Sequence, residues 1–126
     1  MIMTPFDHRV ESDVQVLTPR RNLVGGQETV ALRGAVNGFA TTANPKVILD
    51  LHRINWVSSL GIEEMRRMHR LCTDGTGWMR LACCGEHIEN IILTMRLDWV
   101  FDTFDSVEEA IVAPVRRAHL RPGARA

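Results

Sequence analysis

The sequence predicts an α/β fold: a single domain on a mixed, mainly parallel sheet of about five strands, with about four helices. Three observations predict it. Short apolar runs alternate with amphipathic stretches along most of the chain, the pattern of parallel strands joined by right-handed crossovers. The run VILDL at 47–51 is apolar without alternation, as in a strand buried on both faces. The intervening stretches carry apolar residues at spacings of three and four, the helical period.

In order, residues 3–10 read as a weak strand, and Pro5 marks an edge position. A turn at 11–13 leads to a stronger strand at 14–17, closed by Pro19, and the two form an antiparallel pair. Arg20, Arg21, Gly25 and Gly26 mark a loop. A helix follows over 27–41, with Leu32, Ala35, Val36 and Phe39 as its apolar stripe. Gly34 and Gly38 each cost that helix about 1 kcal/mol against alanine, and close packing against the sheet is the expected reason for them.

Asn44-Pro45 breaks the chain before the 47–51 strand. A turn and a second apolar piece at 54–57 lead to Ser58, Ser59, Leu60 and Gly61, which open a helix running to about Cys72. Ile62, Met65, Met68 and Cys72 mark its inner side. Glu63, Arg66, Arg67 and Arg70 mark its outer side, with Glu63 and Arg67 at ion-pair spacing. Beyond a turn at 74–77 lies a strand over 78–84, ended by Gly85. A short helix over 86–95 turns Ile88, Ile91, Ile92 and Met95 inward. After a turn at 96–99 comes a strand at 100–104, then a last helix with Asp105 as N-cap and Glu108 at N3. Pro114 limits that helix. The domain core covers about 14–112, and 115–126 reads as a flexible tail ending in RPGARA. There is no internal repeat and no second domain.

The chain has 126 residues, 45% apolar and 24% charged, with zero formal net charge. That is ordinary for a soluble domain and argues against a nucleic-acid binder working through a strong basic field. Arg116, Arg117, Arg121 and Arg125 make the end locally basic and read as a solvated tail. No apolar run reaches the length of a membrane span. The first residues lack the long apolar core of a signal peptide, so the expected location is the cytoplasm. The three cysteines, Cys72, Cys83 and Cys84, are odd in number with two adjacent, which is no disulfide framework. They read as small buried apolar residues in a reducing compartment.

Chemistry is sparse. His8, His52, His69, His87 and His119 are scattered, without metal-site spacing. There is no P-loop, GxGxxG or GxSxG pattern. A Ser-His-Asp set assembled from Ser59, His69 or His87, and Asp50 is one that almost any chain permits. No catalytic residue, metal or cofactor is predicted.

Ser58 and Ser59 stand where a strand gives way to a helix. Either can serve as an N-cap. Neither has Glu or Gln three residues on, so no capping box selects one. Either could also carry a phosphate. A phosphoserine brings a charge of about −1.5 to −2, which a helix N-terminus accommodates. A partner packed on the helix start would then be repelled, and a disturbance of about 3 kcal/mol weakens binding more than a hundredfold.

The chain resembles the STAS domain, the anti-sigma factor antagonist family, over roughly 14–112. Three segments carry the resemblance: VILDLHRINWVSSLGI, the 77–85 strand after a glycine-containing turn, and LDWVFDTFDSVEEAI. It implies a binding protein and not an enzyme. The unmodified domain would bind an anti-sigma factor serine kinase of the GHKL type and free the sigma factor. The kinase would end the interaction by phosphorylating the motif serine, and a PP2C-type phosphatase would reverse that. Aligned on Gly61, the phosphorylated position falls on Ser59. Ser58 replaces the family's usual acidic residue, and Leu60 replaces a small polar one. Ser58, Ser59, Leu60, Glu63, Arg66 and Arg67 are the expected partner-binding residues. A second copy of the chain is a further candidate partner. The alternative is a non-switching STAS module: a scaffold in a signalling complex or an accessory subunit of a lipid transporter. A third reading is a nucleotide sensor.

Overall fold

The computed structural model describes residues 5–115. Five strands and four helices follow one another as β1 (Phe6–Glu11), β2 (Val14–Pro19), α1 (Gln27–Phe39), β3 (Lys46–Asp50), α2 (Ser59–Thr73), β4 (Trp78–Ala82), α3 (Glu86–Thr94), β5 (Asp102–Phe104) and α4 (Val107–Val112), with a short 3-10 turn at Leu97–Trp99. The spatial order is β1-β2-β3-β4-β5. β1 pairs antiparallel with β2, and every later pairing is parallel. The expected α/β class and mixed sheet are therefore present.

The hairpin register places Glu11 opposite Val14, leaving Ser12 and Asp13 as its two-residue turn. Both have positive φ, 52° and 66°. Short polar side chains tolerate that conformation, and its twist matches the strands it joins. β1 is an edge strand, as Pro5 suggested. Residues 3 and 4 of the expected first strand lie outside the described residues.

From β2 onward each new strand adds to the same side of the last. Right-handed crossovers in one direction put all three linking helices on one face. Leu17, Val47, Leu49, Met79 and Leu81 accordingly form one core with Leu32, Val36, Ile62, Met65, Met68, Ile88 and Ile92. Val14, Val16, Ile48 and Ala82 point the other way, where Val107 and Ala110 of α4 meet them. Both faces of β2 and β3 are thus covered, which is why VILDL shows no alternation.

α4 is also fastened by Arg80. This side chain is 3% exposed and donates to the Ala110 carbonyl at 2.6 Å and the Pro114 carbonyl at 3.3 Å. Its guanidinium lies 3.9 Å from the Trp78 ring centre. Burial lowers its pKa, with Asp102 acting in the opposite sense.

Several local expectations are corrected. A Cβ at Gly34 or Gly38 would meet nothing within 4 Å, so close packing does not explain these glycines. β4 stops at Ala82, because Cys83 takes φ 58° and turns the chain. Cys72 is buried, whereas Cys83 and Cys84 are half-buried. Burial still pushes the Cys72 and Cys84 thiols up to about 12. Met95 lies past the end of α3 and is exposed. The last helix is capped by Ser106 rather than Asp105: its hydroxyl accepts from the Glu109 amide at 3.1 Å. The predicted tail RPGARA lies outside the described residues.

Candidate functional site

Two loops meet at the start of α2. The first, 20–26, leaves β2. The second, 51–58, leaves β3. Ile54 and Val57 are buried and anchor the second loop in the core. Val57 forms a parallel bridge with Leu23, and the Ser58 amide donates to the Leu23 carbonyl at 2.9 Å. The Asn22 side-chain oxygen accepts from the Asn55 and Trp56 amides at 3.1 and 3.2 Å. Backbone donors that a loop would otherwise leave to water are used here to join the two loops.

Glycine permits the closest approach. A Cβ on Gly61 would stand 2.1 Å from the Leu23 carbonyl oxygen. Gly25 has φ +88°, and its Cβ would stand 2.8 Å from the Leu60 Cβ. The first loop therefore lies directly on the first turn of α2. At the end of β3, Asp50 is 4% exposed and accepts from the His52 amide at 3.2 Å. The His52 ring is 2.9 Å from the same oxygen.

The two serines have different places. Ser58 is the N-cap, with extended backbone, and its hydroxyl accepts from the Gly61 amide at 3.0 Å. Its carbonyl accepts from the Ile62 amide at 2.8 Å. Ser59 is the first residue of the helix and is exposed. Its hydroxyl has no hydrogen bond among the described residues. The first turn of α2 contains no acidic residue. The positive end of the helix dipole is therefore uncompensated there.

The other predicted partner-binding residues share this end of the helix or its outer side. Leu60 is 63% exposed. Glu63 and Arg67 are exposed and Arg66 is half-buried. The expected Glu63–Arg67 pair does not form. Glu63 takes Arg66 at 3.3 Å, while Arg67 reaches Glu64 at 3.4 Å. Glu64 also takes Arg33 of α1 at 2.5 Å. Beside these residues, α1 and α2 enclose an open groove of about 560 Å³ lined in part by Val30, Arg33, Gly34, Arg67 and Arg70.

Sequence reasoning missed Val24 and Trp56, which are 43% and 42% exposed on the two loops. An apolar residue beside Gly25-Gly26 and a tryptophan two residues before the serines were the available signals. It also missed Asn22, whose role depends on a partner 33 residues away.

Among the described residues, no three His, Cys, Asp or Glu side chains cluster as metal ligands. No helix among them is long and apolar enough to cross a membrane.

No family model and no curated protein matches the sequence. Solved structures do match the fold. A Thermotoga maritima protein assigned as an anti-sigma factor antagonist superposes with a TM-score of 0.77 at 20% identity, covering 84% of this chain and 91% of that one. An anti-sigma-factor antagonist (STAS) domain protein from Planctomyces limnophilus gives 0.71 at 18% identity, over 85% and 95% of the two chains. The anti-sigma factor antagonist SpoIIAA, in its unphosphorylated form, gives 0.65 at 14% identity, over 85% and 94%. The chain has the STAS fold of these proteins.

Proposed function

We propose that the protein is an anti-sigma factor antagonist: a binding protein, not an enzyme, that is switched by phosphorylation of Ser59. Its partner would be an anti-sigma factor that is itself a GHKL-type serine kinase. A PP2C-type phosphatase would restore the binding form. The fold shared with anti-sigma factor antagonists supports the general role.

One observation carries the switch. Ser58 takes the capping bond, which leaves the neighbouring Ser59 hydroxyl exposed and unengaged. A kinase can reach that hydroxyl without opening the helix. The resulting phosphate would sit at the positive end of α2, where no acidic residue competes. The fold would be retained while the surface charge changes.

Ser58 in place of an acidic residue fits the same reading. Serine and aspartate are both strong N-caps, so the helix start is preserved. The docking surface comprises Ser58, Ser59, Leu60, Glu63, Arg66 and Arg67, to which Val24 and Trp56 add exposed apolar area. Exposed leucine and tryptophan beside charged residues suit a partner with an apolar contact ringed by polar groups.

The test is incubation with a switch kinase of this class and ATP, followed by mass spectrometry. One phosphate is expected, on Ser59, lost in Ser59→Ala and kept in Ser58→Ala. A phosphate placed elsewhere contradicts the switch. Absence of phosphate, with capture of a transporter ATPase or a large signalling complex, would favour the non-switching STAS module.

A further inference from the structure

The outer side of β1 pairs with no other strand among the described residues. The hairpin fixes which groups face that open edge. Its turn has two residues, so Glu11 and Val14, which flank the turn, exchange both backbone bonds. Bonded pairs alternate along an antiparallel ladder, so Arg9 and Asp7 also turn their amides and carbonyls to β2. The Pro5 carbonyl, which accepts from the Arg20 amide at 3.1 Å, continues the alternation. Phe6, His8 and Val10 therefore present their amides and carbonyls outward. Their side chains lie on the α1 face. There Phe6 packs on the core, the His8 ring centre is 5.2 Å from that of Phe39, and Val10 is 56% exposed.

Charged side chains on an edge strand usually keep sheets apart. On β1 their order allows one register in which they do not. A second β1 approaching antiparallel must set outward residues opposite outward residues, so few two-fold registers exist. With the axis at Arg9, Arg9 faces Arg9 and Asp7 faces Glu11, like charges directly opposed. With the axis at Asp7, two aspartates meet. With the axis at Val10, Phe6 and Asp7 have nothing opposite them. With the axis at His8, Phe6 faces Val10 and Asp7 faces Arg9, and symmetry repeats both pairs. Apolar then meets apolar on one face and acid meets base on the other. Asp7 already holds Arg20 and Arg53, and Arg9 arrives paired with Glu11 at 3.2 Å. This register therefore works by avoiding like charges and not by adding a strong ion pair.

We infer that β1 is a self-association edge: two copies of the chain join β1 to β1 about a two-fold axis at His8, extending one sheet into the next. Phe6 exchanges backbone bonds with Val10 of the second copy, and the two His8 residues do the same. The Val10 side chain, exposed in the single chain, is covered by Phe6 of the second copy. β5, the other edge, has only the three residues Asp102–Phe104 and offers a shorter ladder. The inference rests on the fold alone and not on phosphorylation of Ser59. The contact is small, so association is weak, with a Kd of about 0.1–1 mM.

The test is sedimentation equilibrium of the full chain from about 10 µM to 2 mM, where monomer should pass to dimer. Amide hydrogen exchange at the highest concentration should be slowed about twofold or more at Phe6, His8 and Val10 relative to a dilute sample, with Ser12 unchanged. Val10→Asp, which sets an acid against Phe6 of the second copy, should weaken association about tenfold or more. Val112→Asp, the same change at a site 79% exposed on α4, should leave it unaltered. Val10→Pro should abolish association and keep the hairpin, because that amide donates nothing to β2. Ser59→Glu should associate as wild type does. A monomer mass at about 2 mM overturns the proposal. So does slowed exchange at Ser12 in place of Phe6, slowed exchange at the β5 amides, or equal weakening by Val112→Asp.

Discussion

The Ser58 hydroxyl accepts the Gly61 amide at 3.0 Å, and this one bond divides the labour between two adjacent serines. Ser58→Ala should destabilise the protein by about 1 kcal/mol through loss of the cap. Ser59→Ala should leave the melting temperature almost unchanged, since that hydroxyl bonds nothing among the described residues. Denaturant titration of the two variants side by side checks both. Equal losses would mean that the cap is shared.

Gly61 and Gly34 should respond to alanine in opposite directions. At Gly61 the new methyl would stand 2.1 Å from the Leu23 carbonyl oxygen, which has no flexible end to move. The loss should reach at least about 2 kcal/mol and should loosen the loop carrying Leu23. At Gly34 the methyl meets nothing within 4 Å. The helix should gain about 0.5–1 kcal/mol from the higher propensity of alanine. Thermal melts of both variants read the contrast.

Arg80 joins the sheet to α4 through the Ala110 and Pro114 carbonyls. Arg80→Met keeps an apolar stem but leaves those carbonyls without their donor. A loss of about 1–3 kcal/mol is expected. Hydrogen exchange should show the α4 amides deprotected before those of β3. Unchanged exchange in α4 would separate this arginine from the docking of the helix.

Acid should expose the Asp7 pair. Asp7 is held below its ordinary carboxyl pKa of 3.8, chiefly by the hydrogen bond from Arg20 and then by the charges of Arg20 and Arg53. A carboxyl with a lowered folded-state pKa contributes stability above its unfolded pKa and loses it as pH falls through the folded value. Wild type should therefore lose stability below pH 3.8 more steeply than Asp7→Asn. Parallel acid curves for the two proteins would show that the pair contributes nothing at this exposed site.

The sheet and helices were legible because their signals are local and repeated. The consecutive apolar residues Val47, Ile48 and Leu49 and the helical stripe of Ile62, Met65, Met68 and Cys72 each report a buried environment directly. The last cap was misplaced for a physical reason. Asp105 and Ser106 are both good N-caps, and each is followed three residues on by a glutamate, Glu108 or Glu109. The sequence is symmetric there, and helix α4 is placed by burying Val107 and Ala110. The Glu63–Arg67 pair failed because Arg67 joins Glu64, which Arg33 also engages from another helix. No helical spacing rule contains a residue 31 positions away. The α2 start was visible in outline. The separate duties of Ser58 and Ser59 required the backbone of the helix start, and the anchoring by Asn22 required the fold.

In the proposed switch, charge on Ser59 controls partner binding without unfolding the helix. Ser59→Glu and Ser58→Ala should be titrated calorimetrically against the proposed partner, an anti-sigma factor kinase of the GHKL type, with melting temperatures taken in parallel. Ser59→Glu is predicted to melt within a few degrees of wild type and to bind more than a hundredfold more weakly, a loss of about 3 kcal/mol. Ser58→Ala is predicted to melt lower than wild type and to lose far less affinity than Ser59→Glu. Wild-type affinity in Ser59→Glu would contradict the account.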